Sequence, residues 1–104
     1  MRDIHLIEKT ARYNRVAGTQ DQWTTGTWKM AHDTAMSLIG GNVYLHTAQL
    51  APCYLGGEIL GCEEVGDGRY TIHFRFNEDL VNTTTQNCQN NWSVEMLLEP
   101  VVTA

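Results

Sequence analysis

A chain of 104 residues has length for one core, and 42% apolar with 18% charged residues excludes wholesale disorder. No run approaches the roughly 20 apolar residues of a membrane helix. The net charge of −5 is uneven: residues 41–104 hold two basic against eight acidic side chains, which excludes sequence-independent nucleic-acid binding.

The first segment, Asp3 to Glu8, reads as a strand whose apolar stretch is broken by charge too early for a signal peptide. Arg2, Lys9, Arg12 and Arg15 crowd the region before position 16 and read as a solvated surface. Trp23 to Met30 is rich in Thr and Trp and reads as extended, with Gly26 interrupting it. Ala31, Ala35, Leu38 and Ile39 recur at helical spacing, so a short helix is expected over 31–39. Gly40-Gly41 supplies its stop. Asn42-Val43-Tyr44-Leu45-His46 follows as a strand.

The clearest local signal is the hairpin over 58–77. Tyr70, Ile72, Phe74 and Phe76 alternate with polar residues, which points all four inward. Gly66-Asp67-Gly68 supplies turn chemistry, and Glu58 to Val65 reads as the partner arm. Gly61 within that arm marks a bulge or a close backbone approach. Asn82 to Asn91 lacks charge and periodicity and reads as a long loop. Trp92, Val94, Met96 and Leu98 then share one face of a last strand, which Pro100 ends. The expected architecture is α+β and strand-rich: a single domain of about six mostly antiparallel strands with one short helix, bent into a small barrel-like sheet.

Part of the chain resembles small bacterial proteins of the integron mobile gene-cassette type. The resemblance rests on Trp28, on Leu38 to Gly41, on Tyr44 to His46, and on Pro52, Tyr54, Gly56 and Gly57, and it covers roughly residues 6–76. It implies a bacterial origin and brings no known activity. The glycine-led Val43-Tyr44-Leu45 strand, followed by a loop and a strand starting near Gly56-Gly57, is also similar to the pseudobarrel of pseudouridine-synthase-module-like (PUA-like) domains. That similarity implies a pocket for a base or other small ligand, by analogy of fold alone.

Read from the residues, the same stretch is the site candidate. Tyr44 and His46 share a strand face, while Pro52 and Gly56-Gly57 shape a connection that is long for neighbouring strands. The expected ligand-binding set is Trp28, Tyr44, His46, Tyr54, Gly56, Gly57 and Glu58, with His46 partly exposed. The competing interpretation packs Tyr44 in the core, turns His46 to water at a strand end and leaves the glycines only to make a turn. Histidines 5, 32, 46 and 73 and cysteines 53, 62 and 88 match no metal-ligand spacing, so neither metal nor cofactor is expected. Three cysteines without framework spacing point to free thiols and a reducing cytoplasm, and to chance sequons at Asn82 and Asn91. The function expected is a non-enzymatic binding module for a small molecule or protein partner, with no membrane. A small enzyme using His46 with Glu58 or Cys53 is one alternative, and a homodimer formed through strand edges is another.

Overall fold

Alternation, turn chemistry and one helical stripe assemble into a seven-stranded mixed sheet. The computed structural model describes residues 1–85, 92, 93 and 95–100. The strands are β1 (Ile4–Ile7), β2 (Asn14–Arg15), β3 (Gln22–Lys29), β4 (Asn42–His46), β5 (Leu55–Gly66), β6 (Arg69–Phe76) and β7 (Met96–Leu98). The sheet order is β2-β3-β6-β5-β4-β1-β7, and the one α-helix among the described residues, α1 (His32–Leu38), connects β3 to β4. No helix among the described residues is long and apolar enough to cross a membrane.

The hairpin of β5 and β6 is antiparallel, as its alternation requires. Asp67 and Gly68 make its turn with φ of 54° and 71°, the left-handed pair that matches strand twist. Of the bulge and the close backbone approach expected at Gly61, the close approach is not made, since a Cβ there would meet nothing within 4 Å, while the ladder does shift register between Ile59 and Gly61. Tyr70, Ile72 and Phe74 are buried, but Phe76 is 37% exposed. Phe76 ends its strand opposite Gly57, which offers no side chain to cover it.

The helix buries only Ala35 and Leu38. Ile39 is already extended (ψ 127°), so its side chain leaves the helical face and lies in solvent. Within β7 the buried side chain is Leu97, while Met96 and Leu98 are half-buried and pack against the core. Val94 and most of the loop expected over 82–91 lie outside the described residues.

The expected barrel is not formed. The sheet is open, because its outer strands β2 and β7 are two and three residues long and do not pair with each other. The long antiparallel ladders are joined to the β7 edge by a parallel pair, β1 with β4. One face of the sheet carries Ile4, Leu6, Val43, Leu45, Ile59, Phe74 and Trp28, which with Leu38 of the helix form the core. Sealing an aliphatic or aromatic side chain of this kind stabilises the fold by about 1.5–3 kcal/mol. The opposite face carries His5, Tyr44 and His46.

Candidate functional site

Two groups of polar side chains sit at opposite ends of the physical scale, one sealed and one open. The sealed group follows from the parallel register of β1 and β4, which sets His5 opposite Tyr44 and Ile7 opposite His46. His5 stacks on Tyr44 with ring centroids 4.3 Å apart and planes 10° from parallel. Trp92 closes over the pair edge-on, 5.8 Å from His46 and 6.2 Å from His5.

The hydrogen bonds of the two imidazoles fix their tautomers. His46 Nδ1 lies 2.8 Å from the Ala51 carbonyl, which only accepts, so Nδ1 carries the proton. His46 Nε2 is then a lone pair and takes the Nδ1–H of His5 at 2.9 Å. That leaves His5 Nε2 as a buried acceptor with no hydrogen bond among the described residues, 3.4 Å from Glu99 Oε1. Burial, followed by the neighbouring His46, lowers His5 to about 4. Burial also lowers His46, against the opposing pull of the Ala51 carbonyl. Glu99 is displaced upward by burial and by Asp3. Both imidazoles are therefore neutral at pH 7.

This arrangement departs from the partly exposed His46 expected of a ligand-binding residue. His46 is 0% exposed, because residues 47–54 fold back and place the Ala51 carbonyl against it. Tyr44 is buried with it at 8% exposure. A base sealed in this way has no route to a substrate proton. Glu58 sits opposite Asn42, four residues up the strand from His46, or about 13 Å at strand spacing, and faces solvent toward Arg75. The Cys53 thiol is buried, donates to the Leu55 carbonyl and is pushed up by burial, so it is a neutral hydrophobe rather than a nucleophile.

Gly56 and Gly57 make no turn. They lie inside β5, where a Cβ on Gly57 would stand 1.9 Å from the Arg75 carbonyl oxygen and one on Gly56 would stand 2.9 Å from that of Val43. Their role is close strand packing, which explains why only glycine fits. Tyr54 is half-buried on the core side and donates its hydroxyl to the Glu8 carbonyl at 2.7 Å.

The open group lies where that Tyr54 bond holds the chain. After β1, residues 8–12 run across β3, with Ala11 in a left-handed conformation (φ 54°). Gly26 admits this crossing, since a Cβ there would stand 3.0 Å from Arg12 Cβ. The β3 register slips between Thr24 and Thr27, and the Thr25 hydroxyl repairs the ladder by accepting the Ile72 N–H at 3.0 Å. Between the crossing segment and β3 lies a cavity of about 360 Å³, lined by Ile7, Glu8, Lys9, Thr10, Arg12, Thr27, Trp28, Arg69 and Glu95.

Of the expected ligand-binding residues, only Trp28 lines this cavity. It is 5% exposed and its indole N–H has no acceptor among the described residues. Glu8 is 6% exposed, and its Oε1 accepts both the N–H and the hydroxyl of Thr10 at 2.9 Å. Arg69 donates to the Thr27 hydroxyl and carbonyl at 3.1 and 3.3 Å. Lys9 and Arg12, expected as solvated surface, are exposed but form part of the cavity wall. The sequence signal for this site was the basic cluster before position 16; its convergence with Thr27, Trp28 and Arg69 is a tertiary event.

Among the described residues, no group of three His, Cys, Asp or Glu side chains could hold a metal ion. Cys53 and Cys62 are free thiols, and Cys88 lies outside the described residues. Comparison of the chain with known protein families, curated proteins and solved structures gives no match.

Proposed function

We propose that the chain is a non-enzymatic binding module whose ligand is a small molecule held in the cavity beside Trp28. The observation that carries this reading is the cavity itself. Its volume of about 360 Å³ lies within the range of small-molecule sites, and Ile7 and Trp28 stand there among seven polar or charged side chains. The Trp28 indole N–H, which has no acceptor among the described residues, supports it as well, because a buried donor without a partner is uncommon and calls for a reason. The ordered pair His5–His46 serves as internal support for the edge of the sheet. A bacterial, cytoplasmic setting belongs to the same proposal, on the resemblance and the cysteine pattern described above.

A thermal-shift screen over metabolites tests the reading, because a ligand of the native state raises stability by about 2.7 kcal/mol at a hundredfold excess over Kd. A hit should lose its effect in Thr27→Trp, which places a bulky side chain at the cavity wall. Stabilisation that persists in that variant would move the site elsewhere.

A further inference from the structure

The charges around the cavity are mixed in a way that restricts the ligand. Three cations, Lys9, Arg12 and Arg69, face two carboxylates, Glu8 and Glu95. Arg69 is engaged with Thr27, whereas Lys9 and Arg12 have no ion pair among the described residues. Glu8 is the unusual member. It is nearly buried, its Oε1 is tied to Thr10, and no cation stands within ion-pairing distance of it among the described residues. A carboxylate removed from water in this way gains most from a charged donor.

Each simple ligand class leaves one of these groups unserved. A pure anion would satisfy Lys9 and Arg12 but would meet the fixed Glu8 carboxylate. A pure cation would satisfy Glu8 but would face three positive side chains. A neutral molecule would leave the buried carboxylate without a cation. A compact molecule with an ammonium group and a carboxylate serves both ends, and its apolar portion has Ile7 and Trp28 as neighbours.

We propose that the cavity selects a small ampholyte of the α-amino-acid type, with its ammonium group at Glu8 and its carboxylate at Lys9 and Arg12. This rests on the cavity being the binding site, and the test separates the two claims. The probes share one body and differ only in charge: L-phenylalanine, 3-phenylpropionate and phenethylamine. Each is titrated into the full chain while backbone amide shifts of residues 7–12, 27, 28 and 69 are followed by NMR. Phenylalanine should move these amides with a Kd about tenfold or more below either singly charged analogue, as loss of a charge-assisted hydrogen bond implies.

Glu8→Gln, which keeps an acceptor for Thr10, should erase the preference over 3-phenylpropionate. The double change Lys9→Ala with Arg12→Ala, at exposed positions and so independent of any folding defect in the first variant, should erase the preference over phenethylamine. Equal binding of a singly charged analogue at the same amides would overturn the ampholyte class and leave the cavity as the site. Failure of all three probes would also overturn the class, and the cavity would fall with it only if the metabolite screen leaves those amides unmoved.

Discussion

Lowering the pH from 7.5 to 5 should weaken the fold, because the His5–His46 pair must be neutral to stay sealed. A depressed native pKa means that the unfolded chain takes up the proton first. Stability is then full above the unfolded value of 6.5 and is lost progressively as the pH falls toward the native value of about 4. At about 1.4 kcal/mol per pKa unit, His5 alone accounts for about 3 kcal/mol across that window, of which about 2 kcal/mol has gone by pH 5. His46, also lowered by burial, acts in the same direction. Glu99 opposes them: its raised pKa lets the native state bind a proton earlier, so its contribution returns as the pH falls. Urea unfolding at pH 7.5, 6 and 5, followed by tryptophan fluorescence, reads the sum as a falling midpoint at constant slope. His5→Leu should lower stability at pH 7.5 by about 1–3 kcal/mol, since His46 Nε2 loses its donor. The same variant should flatten the pH dependence. A midpoint that does not change between pH 7.5 and 5 in the unmodified chain would refute the neutral, sealed pair.

Three further outcomes follow from packing and thiol chemistry. Phe74 is 0% exposed at the centre of the core, so Phe74→Ala should cost about 3–5 kcal/mol in equilibrium unfolding. Gly57→Ala should lower the melting temperature sharply, by a loss of about 1–3 kcal/mol or more, because its Cβ would meet the Arg75 backbone rather than a side chain that could move. Cys53 is buried and burial raises Cys62 to about 11, so mass spectrometry should find both alkylated far more slowly in native buffer than in urea. A bridge between them would contradict the free thiols.

The elements legible in the sequence are those set by neighbours along the chain. The β5–β6 hairpin could be read because alternation over Tyr70 to Phe74 and the Asp67-Gly68 turn agree locally. The strand over Asn42–His46 and the short helix before it were legible for the same reason. Barrel closure was not, since it depends on how long the edge strands turn out to be. The candidate site failed to show itself for a different reason. Tyr44 and His46 do share a face, but the exposure of that face is decided by the return of residues 47–54 and by the parallel partner β1, whose His5 lies far away in sequence. Gly56 and Gly57 carry the signature of a turn and that of tight strand packing equally well, and only the Arg75 and Val43 carbonyls distinguish them. The cavity joins the segment after β1 with Thr27, Trp28, Arg69 and Glu95, a convergence that no local spacing encodes.

The most direct measurement is an amide and indole N–H correlation spectrum of the chain with and without a stabilising metabolite. Trp28 lines the cavity and its buried indole N–H has no acceptor among the described residues, whereas that of Trp92 is bonded to the Thr85 hydroxyl at 3.1 Å. Binding in the cavity should move the Trp28 indole signal together with the amides of Lys9, Arg12 and Thr27, and leave the Trp92 indole and the His46 amide in place. Shifts that gather instead at Trp92, Tyr44 and His46 would contradict the account and return the site to the buried histidine pair.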